Sequence, residues 1–310
     1  MKNTSPHLPV MPEIIPLFLM TNRSGIYLDG TIGYGGHAEL IISQLTKNGH
    51  LIGIDLDPYA LEYTQSRLSK SKVPFSLFKS NYREFHLLLK KMGIGELNGI
   101  LLDLGISSSQ IDSRHRGFSF RYNSKLDMRF DPSSNLTAYK LINEINEKEI
   151  SQILKEFGDE KYHKRIAQSI YKKCRAGKME TTQDLRFAVE NVISGKFLNK
   201  SLARVFQAFR IKVNDELSSI KSFLSDSMSF LKKGGRIAII SFHSIEDRII
   251  KQFFKSQSLT CVCAKEIPLC ICKASPKLKI ITKKVYFPSK SEIIKNPRSR
   301  SSKLRVAERI

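Results

Sequence analysis

The chain has 310 residues, 41% apolar and 26% charged, proportions of an ordinary globular protein with one large domain or two smaller ones. Its 51 Lys+Arg against 29 Asp+Glu give a formal net charge of +22 and a pI of about 9.8, which points to a polyanionic partner, nucleic acid before an anionic membrane surface. Pro12, Glu13 and Pro16 break the short apolar stretch near the N-terminus and no apolar run reaches the ~18 residues of a span, so neither a signal peptide nor a membrane helix is expected and the protein reads as cytoplasmic.

In chain order, the first short branched apolar run is IYLDG (26–30). It opens into GTIGYGGH, where Gly30, Gly33, Gly35 and Gly36 fall within seven positions, and then into a helical pattern at 37–47. The run HLIGIDLD (50–57) follows, then a second helical pattern at 58–70 and the run NGILLDLG (98–105). A comparable run, GGRIAIISFHS, returns only at 234–244. Near-continuous apolar strands alternating with helices predict a parallel sheet covered on both faces, hence an α/β, Rossmann-like, doubly wound fold.

Between the last two of these runs the period turns helical. Ile150, Ile153, Leu154 and Phe157 mark one face, with Gly158 as the expected C-cap. Thr181 and Asp184 have capping-box spacing ahead of Leu185, Val189 and Val192, and a longer pattern runs from Ser201 to Leu231. One crossover needs far fewer residues, so a helical insertion is expected at 111–204, within a discontinuous domain made of 1–110 and 205–310.

Gly33, Gly35 and Ala38 satisfy G-x-G-x-x-A after a strand, with Asp55 twenty residues beyond Gly35, so an NAD-dependent oxidoreductase must be weighed. Against it, the first strand ends in the polar run Asp29-Gly30-Thr31. A ligand with an ammonium wants an acidic neighbour, and its carboxylate wants the N–H groups of a helix start. S-adenosylmethionine carries both groups and no pyrophosphate, and Asp55 and Asp57 suit its ribose. Asp103 closes the run at 98–105, and Ser107, Ser108, Ser109 and Gln110 follow it. In a doubly wound fold this stretch faces the reacting groups. Asp103 is read either as the group that accepts an amine N–H, with Ser107 and Ser108 as helpers, or as a helix cap or cofactor contact.

The blocks DGTIGYGGH, GILLDLGISSSQID, RGFSF, LDMRFD, FQAFRIKVNDEL, ISFHSIEDRIIK and NPRSRSSKLRVAER, in this order from about His7 onward, resemble the bacterial small-subunit (16S) rRNA cytosine-N4 methyltransferase family (RsmH/MraW). The resemblance implies an S-adenosylmethionine-dependent methyltransferase fold with the insertion recognising RNA, and methylation of the N4 amine of one cytidine in 16S rRNA as part of rRNA processing. Another RNA acceptor is the alternative. Carried over by position, the cofactor contacts are Gly35, Gly36, His37, Asp55, Tyr82, Asp103 and Gln110. The family pattern has proline where this chain has Ser109. The implied partner is small-subunit rRNA or the assembled subunit, with no membrane; a homodimer is left open.

Lys161, Lys164, Arg165, Lys172 and Arg175 share a predicted helix with Ile166 and Ile170, which reads as a phosphate-contacting or a solvated face. Residues 273–310 hold 12 Lys+Arg and 2 Asp+Glu, a basic tail expected either to contact RNA or to dock its arginines on the sheet domain. Cys261, Cys263, Cys270 and Cys272 form paired C-x-C motifs within 12 residues, a candidate zinc site in a reducing compartment. His243 is read as a structural histidine or a contact to RNA or the acceptor.

Overall fold

The computed structural model describes residues 8–107, 110–111, 113–261, 263, 272 and 274–310. The chain divides into two compact units, one of Met1–Gly105 with Ser218–Ile310 and the other of Ile106–Leu217.

The first unit is built on a seven-stranded sheet of order β3-β2-β1-β4-β5-β7-β6. Its strands are β1 Ile26–Asp29, β2 His50–Asp55, β3 Phe75–Lys79, β4 Leu97–Asp103, β5 Leu231–Ser241, β6 Leu278–Ile280 and β7 Lys303–Arg309. The strands β1 to β5 run parallel, and β7 lies antiparallel between β5 and β6. This is the expected α/β Rossmann-like fold, with the chain reversing its direction of advance across the sheet between β1 and β4. Its helices are α1 Ile14–Leu19, α2 Gly36–Gln44, α3 Pro58–Leu68 and α4 Phe85–Lys91 ahead of the insertion. Leu28, Ile52, Ile100 and Ile239 are fully buried, as a sheet covered on both faces requires. The sequence DPY opens α3, with Asp57 Oδ1 accepting the Tyr59 N–H at 3.1 Å and Pro58 in the first turn.

Three strands escaped the apolar-run reading. Every position of β3 before its exposed end is only partly buried, which suits an edge strand. β7 alternates Lys303, Leu304, Arg305 and Val306, and only its apolar residues are buried. The basic tail therefore docks in part. Arg305 grips Asp247 through Nε–Oδ1 at 2.6 Å and Nη2–Oδ2 at 3.1 Å, and Arg236 Nε donates to Glu308 across the β5–β7 pair at 2.8 Å.

The second unit is helical: α5 Ala138–Glu144, α6 Glu147–Gly158, α7 His163–Arg175, α8 Thr182–Glu190 and α9 Leu198–Asn214. The expected bounds of 111 and 204 move to 106 and 217. Ile106 packs on the helical core, and α9 gives Leu202, Val205, Phe206, Phe209 and Val213 to it. Thr181 and Asp184 make the expected capping box. Gly158 is not the cap of α6; Asp159 takes that place at φ 47°. A Cβ on Gly158 would sit 2.9 Å from the Arg204 carbonyl, so the glycine serves the close approach of α6 and α9. The long pattern at 201–231 breaks at Asp215 (φ 49°), after which α10 runs Glu216–Phe230. Arg210 and Glu216 flank that break in a buried bidentate pair at 2.7 and 2.9 Å. The remaining helices, α11 Ser244–Gln257 and α12 Lys290–Lys295, belong to the first unit.

Gly53 ties the sheet to the glycine loop. It pairs with Asp29, and a Cβ there would overlap Ile32 and come within 2.8 Å of Leu77. Ile32 anchors the loop by donating its N–H to the Ile54 carbonyl at 2.9 Å. Gly53→Ala is expected to destabilise the protein by about 1–3 kcal/mol through overpacking, measured as a lowered urea midpoint.

Candidate active site at the carboxyl ends of the strands

β1, β2 and β4 each end on an aspartate: Asp29, Asp55 and Asp103. Backbone donors hold two of them. The Thr31 N–H donates to Asp29 Oδ1 at 3.2 Å, while Asp55 accepts from Gly33 N–H at 2.8 Å and from Asp57 N–H at 2.9 Å. Thr31 links the first and third: its Oγ1 accepts the Asp103 N–H at 2.6 Å. The glycine loop is braced from α3, where Thr64 Oγ1 donates to the Gly33 carbonyl at 2.7 Å. Gly35, left-handed at φ 75°, caps α2, and a Cβ on it would press on Thr64 at 2.9 Å. The first N–H groups of α2, from Gly36 and His37, lack intrahelical acceptors and carry the positive end of the helix dipole.

The electrostatics are unusual for a strand end. Asp29 is only 1% exposed, and burial pushes its carboxyl up to about 7. His37 and the Thr31 N–H offset part of this, while Asp103 and Asp55 add to it. Burial pushes Asp55 up to about 6 against the pull of the Asp57 and Gly33 N–H groups. His37, in the first turn of α2, lies with Nε2 3.4 Å from Asp103 Oδ2, an ion-pair distance without hydrogen-bond alignment. Among the described residues, Asp29 Oδ2, Asp103 Oδ1 and both His37 ring nitrogens are buried without a hydrogen-bond partner. Orphaned buried polar atoms in one crevice ask for a ligand.

Tyr82 stands on a short 3-10 turn after β3, its ring edge-on to Phe223 at 5.6 Å. Its Cβ lies 3.2 Å from where a Gly30 side chain would begin, so Tyr82 borders the same loop. The first unit thus gathers Gly35, Gly36, His37, Asp55, Tyr82 and Asp103. Ser107 and Gln110 belong to the second unit, where they cap each other: Ser107 N–H to Gln110 Oε1 at 3.1 Å and Gln110 N–H to Ser107 Oγ at 3.2 Å. Ser108 and Ser109 lie outside the described residues.

The roles of Thr31 and Thr64 were not legible from motif spacing; the only signal was a hydroxyl within or opposite the glycine loop. At the end of β5 the same holds for Ser241 and Glu246, both fully buried. Phe242 N–H donates to Glu246 Oε2 at 3.0 Å. His243 caps α11, with Nδ1 accepting the Glu246 N–H at 3.4 Å and Nε2 3.0 Å from Glu246 Oε1. Both ring nitrogens are turned inward, which favours the structural reading of His243.

Against known proteins, a family model described as the MraW methylase family matches residues 4–310. The chain belongs to that family. Proteins named ribosomal RNA small subunit methyltransferase H are similar along nearly their whole length. That of Caldicellulosiruptor saccharolyticus is 45% identical over 98% of this chain and 99% of its own. Those of Heliobacterium modesticaldum and Fusobacterium nucleatum are 42% and 40% identical, each over 98% of this chain and 98% and 97% of their own. Membership of the MraW methylase family bears out the resemblance read from the motif blocks and sets aside the oxidoreductase. The geometry agrees, because a pyrophosphate would bring negative charge to a crevice that already holds Asp29 and Asp103. Among the described residues, no helix is long and apolar enough to cross a membrane.

The raised carboxyl of Asp29 has a signed consequence. Its folded value of about 7 lies well above the usual aspartate value of 3.8, so the folded state holds the proton more tightly. The stability it contributes is full below about pH 4 and is lost as pH rises through about 7. Asp29→Asn is expected to flatten the fall in ligand-free stability between pH 5 and pH 8, read from urea midpoints at both values. Parallel curves for mutant and wild type would show that Asp29 titrates normally.

Proposed function

We propose that the protein transfers a methyl group from S-adenosylmethionine to the N4 amine of a cytidine in small-subunit ribosomal RNA. The observation that carries this reading is the crevice beside the glycine loop, where buried carboxyl oxygens of Asp29 and Asp103 stand without partners at the mouth of a helix N-terminus, in a chain of the MraW methylase family.

The residues fit the methyl donor. Asp29 receives its ammonium, whose charge offsets the carboxyl's loss of hydration. The N–H groups of Gly36 and His37 meet its carboxylate. Asp55, held in place by two backbone N–H groups, keeps lone pairs for the ribose hydroxyls. Tyr82 flanks the adenine. When bound, the donor supplies an electrophilic methyl on a sulfonium, whose positive charge the acidic crevice favours.

A cytosine N4 amine is a weak nucleophile because its lone pair is shared with the ring. Asp103 Oδ1 accepts an N–H of that amine, which localises the pair on nitrogen and provides a place for the proton shed on methylation. Holding the amine in line carries most of the acceleration, worth up to ~7–11 kcal/mol in favourable cases. The second unit recognises the RNA. On α7, Lys164, Arg165, Lys172 and Arg175 are exposed, as is Lys161 just before it, while Ile166 and Ile170 are buried, giving a basic outer face on an anchored helix.

The direct test is labelled-methyl transfer to small ribosomal subunits and to naked rRNA, with nucleoside mass analysis; N4-methylcytidine is the expected product. Label on another nucleoside would move the acceptor. Asp55→Ala is expected to weaken S-adenosylmethionine binding by at least ~1.5 kcal/mol in calorimetry. Asp103→Asn is expected to slow turnover at saturating donor with RNA binding retained. Normal turnover there would leave Asp103 a cofactor ligand only.

The two ends of the basic tail separate RNA contact from folding. Arg298 and Arg300 are exposed, whereas Arg305 is bonded to Asp247. Neutralising Arg298 and Arg300 should reduce the slope of log affinity against log salt by about 1–2, measured by filter binding. Arg305→Ala should instead lower the melting temperature. An unchanged salt slope would remove the tail from the RNA surface.

A further inference from the structure

We propose that Cys261, Cys263 and Cys272 form a thiolate site for a zinc ion that fastens the connection between α11 and β6. This inference does not depend on the methyl-transfer reading. Four of the chain's five cysteines fall within residues 261–272. The three described there bring their sulfurs within 4.8 Å of one another. The Cys261 and Cys272 sulfurs are 3.7 Å apart. A disulfide holds its sulfurs at about 2.0 Å. A zinc tetrahedron with Zn–S of about 2.3 Å has an edge of about 3.8 Å, which the observed separation matches.

Two further features support a metal. The Cys263 N–H points at Cys261 Sγ from 3.4 Å, a backbone donor of the kind that stabilises a metal-bound thiolate. The ends of the connection are also drawn together, with Lys277 N–H donating to the Gln257 carbonyl at 2.8 Å. An ion held by cysteines at both 261 and 272 would join the two ends of this connection. Cys270 completes the paired C-x-C pattern and lies outside the described residues.

Cys174 is a built-in contrast. It sits in the helical unit, its Sγ donating to the Ile142 carbonyl at 3.6 Å, and burial pushes its thiol up to about 11. A lone thiol held in this way is a control for the cluster.

The test begins with elemental analysis of protein produced with zinc available, where about one zinc per chain is expected. Cobalt(II) in its place should show thiolate charge-transfer absorption and the intense visible bands of tetrahedral coordination. Cys261→Ser and Cys272→Ser should each weaken metal binding at least about tenfold, while Cys174→Ser retains it. Should a serine variant fail to fold, the wild type is treated with a competing zinc chelator, and release of one zinc with a lowered melting temperature is expected. Metal-free protein whose cysteines react with a thiol reagent as fast as in the unfolded chain would overturn the proposal. So would a Cys261–Cys272 disulfide in the freshly purified protein, or full zinc retention in both serine variants.

Discussion

A carboxyl group taken out of water holds its proton more tightly unless donors or cations replace the lost hydration. Here the carboxyl ends of β1, β2 and β4 put three aspartates at one edge of a buried sheet. The surrounding structure is arranged around that burden. The glycine loop turns N–H groups of Thr31 and Gly33 toward Asp29 and Asp55, and Thr31 joins Asp29 to the backbone of Asp103. The compensation is incomplete, since burial still raises Asp29 and Asp55. A cationic ligand supplies what the protein leaves out. The same imbalance that weakens the ligand-free fold above neutral pH makes the crevice selective for a positively charged guest.

The helical unit has a different economy. Its core is aliphatic and aromatic, and two of its buried charges, Arg210 and Glu216, satisfy each other across the left-handed turn at Asp215. Buried pairs of this kind add little net stability against an apolar alternative, yet neither partner can be lost cheaply. The pair fixes how the chain leaves α9 and enters α10. Above that core, the basic face of α7 is exposed over a buried apolar stripe, which separates binding charge from folding contacts.

Legibility in the sequence followed burial. The runs at β1, β2, β4 and β5 are apolar because both faces are covered, and they could be read directly. β3 is an edge strand of half-buried residues, and β7 disguises itself as a basic tail because every second side chain reaches water. Gly158 looked like a cap because helix ends and helix crossings both favour glycine; only the neighbour, Arg204, tells them apart. At the site, Asp29, His37, Asp55 and Asp103 were visible as motif residues. The hydroxyl of Thr31 was not, since its partner Asp103 lies 72 positions away. Gln110 and Ser107 are near Asp103 in sequence, and their capping of each other was not legible from it.

The placement of β7 bears on how the molecule is made. It is the last strand in chain order, yet it lies between β5 and β6 and buries Leu304, Val306 and Ala307. Until residues 303–309 have been synthesised, β5 keeps an open edge of unpaired backbone groups and β6 has no neighbour. A nascent chain therefore carries an adhesive sheet edge until that strand emerges. Arginines spaced along β7 keep that closing segment well hydrated until it docks, so the strand that seals the sheet arrives as the least sticky one.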